Sequence, residues 1–162
     1  MSAPVMPVIL AALLNMQTTL QGITRANGYF NDIKATSVVL DPTSLEQVPD
    51  TELPFIVLDV EENGINGYSG ISKPNAIKRD WTVPLRAMLI APDTDSSAKR
   101  RAAWQFYADV ETALAVDPQR GQTVMYTYVQ WPSAIACGLP SQRKVYVEIP
   151  IAFKAHQDYG RP

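Results

Sequence analysis

An α+β fold, with a mostly antiparallel or mixed sheet of about five strands and two main helices packed on it, is predicted by three observations. From Asp80 to Ile90 and from Lys144 to Ala155, apolar side chains fall on every second residue, the period of a half-buried strand. Between them, Ser96 to Val116 sets Ala102, Ala103, Phe106, Val110, Ala113 and Leu114 on one helical stripe. The connections between successive strands are short enough for antiparallel pairing, which segregates the helices to one layer.

Pro7 suits the first turn of an N-terminal helix, where a missing N–H costs nothing, and Ile9, Leu13, Met16, Leu20 and Ile23 follow at helical spacing. Asn27-Gly28 tolerates positive φ and stops that helix. A short strand is expected from Thr36 to Leu40, a connecting loop from Asp41 to Leu53, and a central strand from Pro54 to Val60, where Phe55, Ile56, Val57 and Leu58 form an unbroken apolar run. Glu61 to Asn75, rich in Gly and Asn, reads as a long hairpin loop.

In the next strand, Ile77, Trp81, Val83, Leu85, Ala87 and Leu89 face the core and Lys78, Asp80, Thr82 and Arg86 face outward. Pro84 here and Pro150 in the last strand cannot donate to a ladder, so each implies an edge strand or a bulge, and such prolines would block strand addition at the wrong edge. Val145, Val147, Ile149, Ile151 and Phe153 form the inward row of the last strand. Asp93, Thr94 and Asp95 supply capping oxygens to the second helix. Gln122 to Gln130 reads as a strand, Trp131 to Pro140 as irregular, and His156 to Pro162 as a loose tail.

The 162 residues fit one domain, 1–162, large enough to bury about 70% of the surface of the unfolded chain. Fourteen Lys and Arg against sixteen Asp and Glu leave a net charge of −2, which offers no general attraction for a phosphate backbone. The single Cys137 can form no internal disulfide, reads as a small buried hydrophobe, and points to a reducing compartment. The apolar Met1 to Leu14 stretch lacks the basic start of a signal peptide, and no run approaches the ~20 residues of a membrane span.

Reactive chemistry is poorly supplied. Asp59, Glu61, Asn63 and Gly64 match the opening of a calcium-binding EF-hand loop, but Gly70 stands where the bidentate Glu is required and a strand precedes the segment. A solvated acidic hairpin is the better reading. One histidine, His156, supports neither a catalytic triad nor a multi-histidine metal site. Glu61 and Glu62 are adjacent on an extended chain and point oppositely, and the glycines 64, 67 and 70 lack a phosphate-loop ending. No catalytic residue, metal or cofactor is therefore expected.

What remains points to contact with other macromolecules. Lys99, Arg100 and Arg101 form the one basic run, with Asp95 at i,i+4 to Lys99; it reads either as a solvated helix face or as a dock for an acidic partner. Trp104 and Tyr107 lie off the buried stripe, partly exposed, either for protein contact or for packing against a neighbouring loop. The residues expected at an interface are Glu61, Glu62, Asn63, Tyr68 and Lys73 in the 61–75 loop, Arg86 on its outward row, and Lys99, Arg100, Trp104 and Tyr107 on the second helix.

Several pieces of the chain taken together resemble the tail terminator proteins of long-tailed bacteriophages, the family of the lambda-like minor tail protein U. They are the N-terminal helix ending at Ile23, Asn27-Gly28-Tyr29 followed by Asp32, Leu53-Pro54 before an apolar strand, the Arg79 to Ile90 strand, Asp109-Val110-Glu111 with Ala113-Leu114, and the Val145 to Ile149 strand. The resemblance implies a virion protein made in the bacterial cytoplasm and placed at the tail–neck junction. It implies a homo-oligomeric, sixfold ring that caps the head-proximal end of the tail tube, stops tube polymerisation and joins the head–tail connector or head-closure protein. DNA would pass through such a ring without specific binding, and no membrane or enzymatic activity is implied. Another phage neck component, either a tail completion or a head-closure protein, and a non-viral binding module are the alternatives.

Overall fold

The computed structural model describes residues 8–40, 43–58, 68–73 and 76–158. It has an α+β fold: one mixed, seven-stranded sheet with two main helices on it. In chain order the elements are α1 (Val8–Gln21), β1 (Val38–Val39), β2 (Phe55–Leu58), β3 (Tyr68–Lys73), β4 (Ala76–Ile90), α2 (Ser96–Ala115), β5 (Tyr126–Val129), β6 (Ala134–Ala136) and β7 (Lys144–Asp158). The strand order is β1-β2-β4-β7-β5, with β3 on β4 beside β2 and β6 on β7 beside β5. Only the β1–β2 pair is parallel among these strands.

The alternating rows predict their own faces. Trp81, Val83, Leu85, Ala87 and Leu89 of β4 and Val145, Val147, Ile149, Ile151 and Phe153 of β7 are buried beneath the helices. From the other side, α1 contributes Ala12, Leu13, Met16 and Leu20, and α2 contributes Ala103, Phe106, Val110, Ala113 and Leu114. Ala102 stands half-buried at the margin of that stripe. Asp95 is the N-cap of α2, its carboxylate accepting from Ala98 N at 3.2 Å. α1 ends at Gln21, short of the expected stop at Asn27-Gly28; Gly28, at φ +89, instead caps a separate 3-10 turn over Arg25–Asn27.

The prolines mark neither an edge nor a bulge. β4 and β7 are the central strands, paired without a register shift from Ala76–Asp158 to Ile90–Lys144, and Pro84 and Pro150 face each other in that ladder. Gln130 N donates to Pro150 O at 3.0 Å, so the main-chain groups of Pro150 turn toward the β5 side. N and C=O of one residue share a side in an antiparallel strand, so the facing prolines occupy a non-hydrogen-bonded position. Pro84 N correspondingly turns to the β2/β3 side, beyond the last registered pairs of β2 (Leu58–Leu85) and β3 (Tyr68–Arg79). The expectation that these prolines guard free edges is thereby overturned.

Other boundaries shift where pairing, and not local sequence, decides. The expected 61–75 loop contains β3, held by register to Arg79, Lys78, Ile77 and Ala76. The expected tail from His156 is partly strand, since β7 continues to Asp158 opposite Ala76. The irregular 131–140 stretch contains β6, and β5 starts only at Tyr126, after a turn with positive φ at Arg120, Gly121 and Gln122. Cys137 is half-buried, so it is no core hydrophobe. The 43–53 segment makes two 3-10 turns, and its Leu45 packs with Val57 and Met88 in a second small cluster on the opposite face of the sheet.

Phe106 is the largest apolar side chain that α2 inserts into the core. Phe106→Ala should lower the unfolding free energy by about 3–5 kcal/mol, read from the denaturant midpoint.

Candidate interaction surface

The face of the sheet away from the helices carries a polar centre. Arg86 and Glu148 are direct cross-strand partners, and Arg86 Nε lies 3.3 Å from Glu148 Oε2. Tyr146 OH donates to the same oxygen at 2.8 Å, and Ser133 Oγ donates to Glu148 Oε1 at 3.1 Å. With both oxygens engaged, this carboxylate is held in place as an acceptor and its ion pair is a cross-strand contact worth about 0.2–1 kcal/mol. Arg86 thus stands on the outward row as expected, half-buried in this network.

Beside it, an open cleft of about 860 Å³ lies between the 43–46 segment and the 136–144 segment, floored by Leu45, Met88 and Tyr146 and rimmed by Lys144. Lys144 Nζ is 3.1 Å from Asp50 Oδ1, which offsets its charge.

A second feature sits where α2 meets the segment after β5. Trp104 and Trp131 meet edge to face at 5.7 Å, and Trp131 stacks on Tyr107 with centroids 6.1 Å apart. Trp131 is 73% exposed and Trp104 43%, so the group presents two indoles to solvent. Tyr107 is only 9% exposed, which corrects its expected partial exposure: it packs against the neighbouring segment, as the alternative reading had it. Its hydroxyl donates to Glu111 Oε1 at 3.2 Å. Burial, then the Glu111 charge, then that hydrogen bond raise the Tyr107 phenol above its ordinary value.

Lys99 is corrected more sharply. It is 2% exposed, with Nζ donating to Leu139 O at 2.9 Å, so its stem packs and its head pins the 137–142 turn to α2. Arg100 and Arg101 remain exposed on the helix. Among the expected loop residues, Tyr68 and Lys73 lie in β3, at the register positions of Arg79 and Ala76. Glu61, Glu62 and Asn63, with the 59–64 calcium-loop match, lie outside the described residues.

Two buried charges escaped the sequence reading. Asp109 accepts from Phe30 N at 2.9 Å, Asn31 N at 2.9 Å and Asn31 Nδ2 at 2.7 Å, clamping the loop after α1 onto α2. Arg120 is fully buried; Nη1 approaches Asn15 Oδ1 and Thr19 Oγ1, and Nη2 donates to Leu114 O, so one guanidinium joins α1 to the end of α2. Burial lowers its pKa from the ordinary arginine value, while Asp117 acts to raise it. Asp109 did fall within a quoted motif, but its partners are 78 and 79 residues away in sequence.

The third feature is β5 itself, a terminal strand of the sheet. Tyr126 and Tyr128 project together, ring centroids 4.3 Å apart, with Lys154 Nζ 5.8 Å from the Tyr128 ring. Among the described residues no group of three or more His, Cys, Asp or Glu could hold a metal ion, and no helix is long and apolar enough to cross a membrane. No family model matches the chain, and no curated protein matches it either.

Asp109→Ala leaves the Phe30 and Asn31 amides without their acceptor and should cost about 1–3 kcal/mol, with faster hydrogen exchange at those two amides than at the α2 core. The raised Tyr107 phenol favours the neutral form in the folded state. Its contribution is therefore complete below the ordinary tyrosine pKa and is lost as pH rises through the higher folded value, so thermal stability should fall with pH in the alkaline range and Tyr107→Phe should flatten that fall.

Proposed function

We propose that this chain is a tail-terminator-like structural subunit of a long-tailed bacteriophage, forming a ring that caps the head-proximal end of the tail tube and receives the head–tail connector. The observation that carries the reading is the layout of the sheet. One face is sealed by both helices, while β5 at one side and β3 at the other each lack a further neighbour among the described strands. A closed ring needs two unlike patches on every subunit, one meeting the other head to tail. The two sides of the described sheet are unlike, β1 and β3 ending one and β5 and β6 the other, which suits such a pair, and the exposed indoles of Trp104 and Trp131 add contact surface of the kind enriched at interfaces.

Asp109, from one of the pieces that carry the resemblance, bonds Phe30 and Asn31, which lie between Asn27-Gly28-Tyr29 and Asp32 of another. In this reading the sixfold stoichiometry, the tube protein and the connector as partners, and passage of DNA without specific binding follow from the family.

A second reading is favoured by the cleft of about 860 Å³, a size within the range of small-ligand sites: a non-viral binding module that takes a ligand against Leu45 and Met88. Electron cryomicroscopy of particles bearing a labelled chain separates these. A terminator places label as one ring on the last ring of the tube; label confined to the head side of the neck indicates another neck component. Absence from particles, with ligand uptake by a monomer, would sink the structural reading.

A further inference from the structure

The outer face of α2 carries charge and apolar surface that no other described residue answers. Lys99, Arg100 and Arg101 sit in its first two turns, where the helix dipole already favours an anion. The i,i+4 pair of Asp95 with Lys99 does not form: Lys99 Nζ donates to Leu139 O, Asp95 accepts from Ala98 N, and Asp93 accepts from Thr94 N. Arg25, Lys34, Arg86 and Lys144 each have a carboxylate oxygen within 3.5 Å. Arg100 and Arg101 are exposed and have no such partner among the described residues.

Trp104 lies four residues on from Arg100 and three from Arg101, so both guanidinium stems stand beside the indole, about 6 Å or less along the axis. Trp104 meets Tyr107 and Trp131 edge to face, each at 5.7 Å, which fixes the three rings as one cluster with two indoles open to solvent. Further along the same face is Glu111, whose carboxylate accepts from Tyr107 OH. From Arg100 to Glu111 the face thus changes from positive through aromatic to negative over about three turns.

We infer that this face of α2 docks a segment of a different protein, one that sets carboxylates against Arg100 and Arg101 and a large apolar side chain against Trp104 and Trp131. Charge selects the occupant. Two cations without counter-charge, at the positive end of a helix, attract an acidic group, and the indoles beside them attract an apolar one. Spacing narrows it further, since acidic and apolar side chains about 6 Å apart stand at i and i+4 on a helix or at i and i+2 on a strand. A nucleic acid fits less well: its phosphates would continue past the indoles to Glu111, and the chain as a whole has a net charge of −2. This docking face goes beyond the ring reading and does not depend on it.

Tryptophan fluorescence of the full-length chain tests the face, because Trp81 is 4% exposed and the other two indoles, Trp104 and Trp131, meet solvent. The probe is a tryptophan-free helical peptide of glutamine and alanine carrying two adjacent glutamates, with leucine and phenylalanine one turn later. The control peptide has lysines in place of the glutamates. The acidic peptide should shift the emission to the blue and protect the indoles from acrylamide, with protection falling as salt is added. Combining Arg100→Glu with Arg101→Glu should weaken that binding by about tenfold or more and admit the control peptide instead. Neither arginine side chain makes a bond among the described residues, so this variant should melt as the parent does. Trp131→Ala should also cost about tenfold. If it lowers the melting temperature by removing the stack on Tyr107, the charge-reversed pair decides the matter alone.

Equal protection by the two peptides, or by neither at up to about 1 mM, overturns the proposal. Preferential protection by oligothymidylate overturns it too, since the face would then be a platform for single-stranded nucleic acid. So does protection on concentrating the chain alone, which would make a second copy the occupant.

Discussion

The ladder between β4 and β7 is the constraint on which the rest of the structure depends. Its register keeps the apolar rows of both strands together beneath the helices, and a slip of one residue would turn one strand over relative to the other. Were β7 the strand to slip, Ile149 would face the cleft and Glu148 would enter the core. The facing prolines fit this register, because at any neighbouring alignment one of them would fall on a position that must donate to the ladder. They act as a register pin in the middle of the sheet, and leave the guarding of its edges to other residues.

The helical layer is held to this sheet by apolar packing and to itself by buried charge. Asp109 ties the turn after α1 to α2, Arg120 ties α1 to the last turn of α2, and Lys99 ties α2 to the 137–142 turn. Asp109 and Arg120 sit at joints where they bond main-chain groups, the Phe30 and Asn31 amides and the Leu114 carbonyl, which offsets the cost of burying their charge. Trp104 on α2 and the 138–142 wall of the cleft are built on segments tied in this way. Any surface they offer is consequently preformed, so a partner would not have to supply the entropy of ordering it.

Features set by short-range chemistry were legible in the sequence. The cap at Asp95, the turn at Gly28, the stripe on α2 and the alternation in β4 and β7 all follow from neighbours within a few residues. Features set by distant partners were not. β3 is a Gly- and Ser-containing segment with no pattern of its own, and only its register with β4 makes it a strand. Lys99 has the composition of a solvated residue, and its burial depends on Leu139, forty positions on. Tyr107 lies off the apolar stripe and is covered by Trp131, which a reading by helical period cannot place. Pro84 and Pro150 each stand out singly in the sequence, but their meaning comes from facing each other across a register that neither strand reveals alone.

The position of β7 in chain order has a consequence for biosynthesis. This strand is central in the sheet yet is the last described element to leave the ribosome, and its partners β4, β5 and β6 all precede it. Until it emerges, the earlier strands have an unfilled slot at the middle of the sheet and the nascent chain has no native scaffold. A prematurely terminated translation product would lack the strand that aligns the others, and with it any properly formed edge to offer. Emergence of β7 thus sets the point at which the described sheet, and the edges it presents, can form.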